Sequence, residues 1–191
     1  MNEDMAAYFD GLAPGWDDAP AEQEAREKLT AMMALSPNGV IADVGCGRGV
    51  MFEHLLRTGP AKLIAIDVSS EMLRLAKERF CDGRIEYVHG DFLDVSLPPL
   101  DAVLFFNAYP HFLDKAALAG RLAQVLKKGG ALIIAHSRSR AEINGRHRGG
   151  GASKLSAPLE SAEAEAAKFQ KDFATDALVD GELYFIKMIR R

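Results

Sequence analysis

The stretch IADVGCGRGV, residues 41–50, places one aspartate and three glycines in an otherwise apolar run. Asp43, Gly45, Gly47 and Gly49 occupy every second position. Glycine destabilises strands and helices alike. Three glycines so close together therefore indicate a backbone that must lack side chains at these positions. A buried strand that ends in a tight turn, with a ligand lying against bare backbone, supplies that reason.

Segments typical of strands and helices alternate along most of the chain. Short apolar or alternating runs predict strands at residues 40–44, 62–66, 84–89, 102–106 and 131–135. Helical spacing predicts helices at residues 22–35, 50–57, 70–80 and 114–127. We expect Gly129 to supply the left-handed cap of the last of these helices. This alternation predicts a parallel sheet with helices on both faces.

The C-terminal part of the chain has a different pattern. Residues 144–158 are expected to form an open loop, and residues 160–169 have a helical composition. Two strand-like runs then flank the pair Asp180 and Gly181, which indicates a hairpin. The sequence therefore predicts a doubly wound α/β sheet of seven strands whose last strand is antiparallel.

Composition limits the class of protein. The chain has 191 residues, 48% hydrophobic and 26% charged, which suits one globular domain. Its net charge of -4 argues against nonspecific binding to nucleic acid or to an acidic membrane. The two cysteines have no metal-like spacing, so we expect no metal site, no disulfide framework and a reducing cytoplasm. We find no signal peptide and no apolar run near the roughly 20 residues that span a bilayer.

The glycine turn distinguishes between two kinds of nucleotide cofactor. A dinucleotide site has the pattern G-x-G-x-x-G, whereas this chain has G-x-G-x-G followed by Phe52. Asp43 would repel a pyrophosphate, but it could accept hydrogen bonds from an ammonium group, directly or through water. The helix after the turn would direct free N–H groups at the ligand. The turn therefore favours a cofactor with an amino-acid tail.

The motif DVGCGRG, residues 43–49, resembles the first motif of the class I S-adenosylmethionine-dependent methyltransferases. IDVSSEML at residues 66–73, HGDFLD at residues 89–94 and the run at residues 103–137 resemble later elements of that family. The antiparallel last strand matches as well. The resemblance covers most of the chain, least clearly after Asn144, and implies a Rossmann-like fold with S-adenosylmethionine as cofactor.

The resemblance also implies roles for the strand ends. Asp67 would hold both ribose hydroxyls, and Asp91 would meet the adenine amino group. Simpler interpretations are a helix cap for Asp67, a turn for Asp91 and core packing for Met72. Cys46 would offer its backbone rather than its thiol. The complete predicted cofactor set is Tyr8, Trp16, Asp43, Gly45, Cys46, Gly47, Gly49, Asp67, Val68, Met72, Asp91, Phe92 and Asn107.

The N-terminal sequence YFDGLAPGWDD, residues 8–18, is similar to the lid segment of small-molecule members, including quinone-pathway methyltransferases. We therefore divide a single domain, residues 1–191, into a lid and helix at residues 1–35 and a catalytic core at residues 36–191. The alternative is that Tyr8, Phe9 and Trp16 pack as ordinary helix residues.

Two histidines follow strand ends on the expected acceptor side. His111 comes after the fourth strand and His136 directly follows the fifth, so either could take a proton from an oxygen or nitrogen acceptor. The alternative for His111 is capping or packing. The sequence NAYP, residues 107–110, departs from the N-P-P-[YFW] motif of members that methylate nucleic acid or protein amino groups. That difference weakens Asn107 as a catalytic residue.

A basic segment follows the fifth strand. Arg138, Arg140, Arg146 and Arg148 are accompanied by a single acid, Glu142, which also fits a capping box with Ser139. The segment indicates an anionic acceptor, with a solvated surface or RNA binding as alternatives.

Together these features predict methyl transfer from S-adenosylmethionine to a small, anionic acceptor. The alternatives are a protein that binds S-adenosylmethionine without catalysis and an NAD-dependent Rossmann oxidoreductase.

Overall fold

The computed structural model describes residues 3–16, 22–147 and 154–191. These residues form a seven-stranded sheet in the order β3-β2-β1-β4-β5-β7-β6. The strands are β1 Val40–Val44, β2 Lys62–Asp67, β3 Ile85–His89, β4 Leu100–Phe106, β5 Leu126–His136, β6 Phe173–Asp180 and β7 Tyr184–Arg190. β7 runs antiparallel to both of its neighbours, β5 and β6, as the sequence predicts, and the other pairs are parallel.

Helices cover both faces of this sheet. The described helices are α1 Glu3–Leu12, α2 Gln23–Met33, α3 Phe52–Arg57, α4 Ser70–Arg79, α5 Lys115–Val125, α6 Arg140–His147 and α7 Ala162–Ala167. Alternate residues of each central strand point to opposite faces. One core packs the sheet against α5 and α7, and a second core packs it against α2, α3 and α4. The doubly wound α/β class is therefore confirmed, whereas the division of one domain at residue 36 stays a prediction.

The chain reverses direction across the sheet beside β1. It builds β2 and β3 on one side of β1, then returns to place β4 on the other side. In open α/β sheets, ligands bind in the crevice at the carboxyl ends of the strands where this reversal occurs. The fold therefore places the glycine turn after β1 at such a crevice.

The junction of α5 and β5 differs from the sequence prediction. The helix ends at Val125, and the strand begins at once with Leu126, which pairs with Leu100 of β4. Lys127 lies in this strand, where its Nζ is 2.8 Å from Asp101 Oδ1. Gly129 has the positive φ expected of a cap, 77°, but it lies within the strand. The predicted cap at Gly129 is therefore wrong, because pairing with β4 extends the strand backwards.

The predicted open loop at residues 144–158 is also partly wrong. Residues 144–147 belong to α6, and residues 148–153 lie outside the described part of the chain. The capping box is present: Ser139 N–H donates to Glu142 Oε2 at 3.1 Å, and Glu142 N–H donates to Ser139 Oγ at 3.4 Å. Within the three described ranges, none of the helices has the length and apolar character that crossing a membrane requires.

Candidate active site

A cavity of about 530 Å³ lies at the carboxyl ends of β1, β2, β4 and β5. Its walls combine the glycine turn, the strand ends and part of α1. The predicted site residues that line it are Trp16, Gly45, Cys46, Gly47, Asp67, Val68, Met72, Asp91, Phe92, Asn107, His111 and His136. Tyr8, Asp43 and Gly49 lie outside its lining. Most of the predicted site residues, which follow separate strands in the sequence, therefore lie around one cavity in the fold.

The glycine turn crosses from β1 to β2 through backbone hydrogen bonds. Gly45 N–H and Cys46 N–H both donate to the carbonyl of Ile66, at 2.8 and 3.1 Å. A Cβ on Gly45 would lie 2.6 Å from the Cβ of Ala108, so only glycine fits there. Burial raises the pKa of the Cys46 thiol, which stays neutral. The thiol of Cys46 is therefore buried and neutral, and a backbone contact between Cys46 and the cofactor stays a prediction.

Asp43 lies beneath this turn and is 1% exposed. Among the described residues, neither of its carboxylate oxygens has a hydrogen-bond partner. Burial, with a smaller contribution from the charge of Asp67, raises the pKa of Asp43 to about 7. A buried carboxylate without hydrogen-bond partners is stabilised most by a cationic group of a ligand.

Asp67 ends β2 and connects the two sides of the crevice. Its Oδ2 accepts from Gly47 N–H at 2.8 Å, and its Oδ1 accepts from Ser69 N–H at 2.9 Å. Burial raises the pKa of Asp67, and these two hydrogen bonds oppose that rise. The N-cap of α4 is Ser69, whose Oγ accepts from Met72 N–H at 3.0 Å. Asp67 thus lines the cavity and fixes the glycine turn, and it is not the helix cap.

The adenine side predicted from the sequence is formed by the end of β3 and the start of α4. Asp91 Oδ1 accepts from Leu93 N–H at 3.0 Å, which is a turn contact, while Asp91 also lines the cavity. Phe92 is 1% exposed and Met72 is 2% exposed. Each of these side chains therefore contributes to the core and to the cavity wall together.

The N-terminal helix α1 covers the cavity and docks on α4. Asp10 accepts hydrogen bonds from Ser69 Oγ at 2.6 Å and from Glu71 N–H at 3.0 Å, and these bonds lower the pKa of Asp10. Phe9 lines the cavity, with its ring centroid 5.2 Å from that of His111 and 6.0 Å from that of Trp16. Met5, Phe9 and Trp16 thus form part of the cavity wall, and a lid function for this segment stays a prediction.

The remaining N-terminal contacts fix the cover at its end. The carbonyl of Trp16 accepts from Arg48 Nη1 at 2.8 Å, and Arg48 belongs to the glycine turn. Tyr8 packs on Phe9 at 5.3 Å between ring centroids. The prediction that Tyr8 contacts the cofactor therefore receives no support from the cavity lining, since its ring faces Phe9.

His111 ends the short 3-10 turn Tyr109–His111 that follows β4. Its Nδ1 lies 2.9 Å from the carbonyl oxygen of Leu155. Because a carbonyl only accepts, Nδ1 donates this hydrogen bond, and a neutral ring in this position has its proton on Nδ1 and its lone pair on Nε2. Tyr109 holds the turn from behind by donating to Glu165 Oε2 at 2.6 Å. The geometry gives the ring a defined tautomer beside the cavity.

The end of β5 forms the opposite wall. His136 is 1% exposed, with its ring 5.8 Å from the ring of Tyr184. Ser137 follows it, and its hydroxyl accepts from Asn107 Nδ2 at 3.2 Å. Asn107 has a φ of 54° and accepts from Ser137 N–H at 3.3 Å. Asn107 and Ser137 therefore fix each other at the rim.

The basic segment divides into separate environments. Arg138 and Arg146 line the cavity. Arg140 lies outside its lining, where its Nε is 3.1 Å from Asp180 Oδ2. Asp180 at the end of β6 thus holds Arg140 outside the cavity lining, and a role of Arg140 in acceptor binding stays a prediction. Arg148 lies outside the described residues.

Comparison with known proteins agrees with this geometry. Residues 41–130 match the family model described as a methyltransferase domain. Residues 41–130 are therefore similar to a methyltransferase domain. An uncharacterized methyltransferase of Mycobacterium tuberculosis is 34% identical over 108 residues, which cover 56% of this chain and 54% of the relative.

Two further relatives of this methyltransferase domain are informative. A trans-aconitate 2-methyltransferase of Rhodopseudomonas palustris is 37% identical over 112 residues, covering 58% of this chain and 43% of the relative. The chain spans about half the length of the curated relatives it matches. The structure of the N-methyltransferase NodS of Bradyrhizobium japonicum with S-adenosyl-l-homocysteine has the same fold, with a TM-score of 0.73, 14% identity and 98% of both chains covered.

The residues of the methyltransferase domain fit S-adenosylmethionine. The buried carboxylate of Asp43 suits an ammonium group, and the position of a Cβ on Gly47 faces open space, with no atom within 4 Å. Asp67 and Asp91 line the same cavity. The family's cofactor carries an ammonium group, a ribose and an adenine amino group, all of which are donors to carboxylates.

Several residues of the methyltransferase site were missed by sequence reasoning. Asp10, Glu22 and Glu165 act through partners 59, 115 and 56 positions away in the chain. No local pattern marks such pairs, so the sequence alone offers no signal for them.

Proposed function

We propose that this chain transfers a methyl group from S-adenosylmethionine to a small acceptor that carries an acid group. The observation that carries the proposal is the single cavity with two chemically distinct walls. One wall holds the glycine turn, Asp67 and Asp91, and the other holds His111, Ser137 and Arg138. When bound, the cofactor supplies an electrophilic methyl group on a sulfonium sulfur.

The chain's own contribution is binding, orientation and exclusion of water. Asp43 would balance the ammonium charge of the cofactor, Asp67 would accept from the ribose hydroxyls and Asp91 from the adenine amino group. Phe9 and Trp16 cover the cavity with aromatic rings. Methyl transfer needs little more than an in-line approach in a dry site, which such a cover provides.

An oxygen or nitrogen acceptor must also lose a proton. His111 lines the cavity, and Nε2 of its neutral ring is the nitrogen that can accept one. His136 lines the cavity as well, but it is 1% exposed, which makes uptake of a charge costly. His111 is therefore the proposed base.

The acid group of the acceptor is inferred from the charges at the end of β5. Arg138 and Arg146 line the cavity, although the whole chain has a net charge of -4. Guanidinium groups pair with carboxylates through a rigid fork. A relative named for its action on trans-aconitate, a carboxylate, supports this class of acceptor.

Binding of S-adenosylhomocysteine tests the cofactor assignment directly. By calorimetry we expect a dissociation constant in the micromolar range and no binding of NAD. Binding of NAD in place of S-adenosylhomocysteine would move the chain to the oxidoreductases. Labelled S-adenosylmethionine incubated with a metabolite extract then tests transfer, and binding without any labelled product would identify a non-catalytic binding protein.

Replacement of His111 tests its role in proton transfer. His111→Ala should lower kcat by about 10²–10⁴-fold, the usual contribution of a positioned base, and leave the affinity for S-adenosylhomocysteine unchanged. His111→Gln is the matched control, because glutamine can still donate to the carbonyl of Leu155. Equal losses in both variants support a base, full recovery in His111→Gln indicates positioning, and an unchanged kcat in His111→Ala contradicts both.

A further inference from the structure

The geometry points to a carboxylate-binding site for the acceptor, which the chain's own Glu22 fills in this structure. The inference rests on the proposed function and gives its acid acceptor a location. The site consists of the guanidinium of Arg138 and the hydroxyl of Ser137, at the end of β5. An acceptor carboxylate would bind there by replacing the carboxylate of Glu22.

The contacts of Glu22 are those of a bound carboxylate ligand. Its Oε1 accepts from Arg138 Nε at 2.6 Å and lies 2.6 Å from Arg138 Nη2. Its Oε2 accepts a short hydrogen bond from the hydroxyl of Ser137. The Glu22 side chain is only 11% exposed. Both oxygens are thus held by charge-assisted or hydroxyl donors away from bulk water.

The cradle that holds this carboxylate is supported independently of Glu22. The hydroxyl of Ser137 accepts from Asn107 Nδ2 at 3.2 Å, so its own proton is directed outward to an acceptor. Ser137 N–H donates to Asn107 Oδ1 at 3.3 Å. Asn107 adopts a left-handed φ of 54°, a conformation that needs support from its surroundings. A pre-arranged donor set of this kind recognises a carboxylate rather than one particular side chain.

The position of Glu22 allows such an exchange. Glu22 precedes α2, and it is joined to the end of β5 across 116 positions of the chain. It lines the cavity together with Arg26 of α2 and Arg146 of α6. If Glu22 left Arg138, the remaining acid beside this guanidinium would be Glu142, whose Oε1 lies 3.6 Å from Nη1. Entry of an acid acceptor would restore the charge balance.

The exchange also makes the site selective. Arg138 keeps both of its acidic partners only if the departing carboxylate of Glu22 is replaced by another one. A neutral acceptor would leave Arg138 partly buried with its second acid, Glu142, 3.6 Å from Nη1. Discrimination against neutral molecules therefore follows from the same contacts that bind the acid.

The test is binding of simple acids to the protein saturated with S-adenosylhomocysteine. Benzoate, succinate and trans-aconitate serve as probes, with their methyl esters as neutral controls, measured by calorimetry. Glu22→Gln should tighten binding of at least one acid by about tenfold or more, the value of one charge-assisted hydrogen bond, and leave the esters unchanged. Arg138→Gln should weaken binding of the same acid by a similar factor.

Two further variants keep the result interpretable. Glu22→Ser places a favoured N-cap residue before α2, so it provides a second removal of the carboxylate that preserves the helix start. Glu142→Gln is the matched control, because Glu142 also contacts Arg138 but does not line the cavity. Acid binding in Glu142→Gln should equal that of the unmodified protein.

The two proposals fail in different ways. If both Glu22 variants bind S-adenosylhomocysteine normally but bind the acids no more tightly, Glu22 is only a tether between α2 and β5, and the inference is wrong. If the unmodified protein does not bind S-adenosylhomocysteine, the proposed function is wrong.

Discussion

Replacing Asp43 with asparagine should stabilise the ligand-free protein at pH 8. The pKa of Asp43 is raised to about 7 by burial, whereas an aspartate in the unfolded chain titrates near 3.9. Between these two values the folded state binds a proton that the unfolded state has lost. The contribution of Asp43 to stability should therefore fall by about 4 kcal/mol as the pH rises from about 4 to 7.

The asparagine variant should not show most of this pH-dependent loss of stability. An unpaired buried amide is still costly, by about 1–3 kcal/mol, so we expect a net gain of about 2 kcal/mol at pH 8. In a chain of this size that corresponds to a rise in Tm of about 4–8 °C. At pH 5 the unmodified protein has lost only about 1.5 kcal/mol of this stability, which the cost of the buried amide in the variant offsets, so the two proteins should unfold at nearly the same temperature.

The same replacement should have the opposite effect on the cofactor. An ammonium group near Asp43 would stabilise the ionised form, so binding of S-adenosylhomocysteine should release a proton and tighten as the pH rises to about 7. Asp43→Asn should weaken binding at pH 8 by at least about tenfold, which corresponds to one charge-assisted hydrogen bond. Calorimetry at pH 5, 6, 7 and 8 measures both the affinity and the number of protons released on binding.

Asp94→Asn is the matched control for Asp43, because Asp94 is exposed. It should change neither Tm nor affinity at any pH. Burial also raises the pKa of Asp67, which adds a pH dependence of the same sign. The decisive comparison is therefore between Asp43→Asn and the unmodified protein. An equal affinity at pH 8 with the same pH profile would remove Asp43 from cofactor binding.

The sequence predicted the sheet well, because its strands are marked locally. An apolar run that ends in glycine or an acid defines β1 and β2 within one residue of the structure. The glycine turn was equally predictable. Position 45 must lack a side chain, because a Cβ there would collide with Ala108. Features of this kind depend on neighbours in the chain, and a single sequence contains them.

Features that depend on distant partners could not be predicted. The start of β5 depends on pairing of Leu126 with Leu100, and lysines before a glycine are equally typical of a helix end. Arg140 and Arg138 are two positions apart in similar sequence, yet one pairs with Asp180 and the other with Glu22. Only the packed fold decides which arginine faces the cavity, because β6 and α2 supply the two acids.

Asp67→Ala should weaken binding of S-adenosylhomocysteine by about 100-fold. The variant would lose two charge-assisted hydrogen bonds to the ribose, each worth about 1.5–3 kcal/mol, and losses at one carboxylate add only in part. It would also release Gly47 N–H and Ser69 N–H, which Asp67 holds at 2.8 and 2.9 Å. The glycine turn would therefore lose a support as well as a ligand contact.

Ser69→Ala separates these two contributions. It removes the hydroxyl that caps Met72 N–H and donates to Asp10, but leaves Asp67 in place with its bond to Gly47. We expect it to lose at most about tenfold in affinity, together with some stability of α4, since an N-cap is worth about 1 kcal/mol. If Asp67→Ala, still folded by circular dichroism, loses no more affinity than Ser69→Ala, then Asp67 supports the backbone and does not bind the ribose.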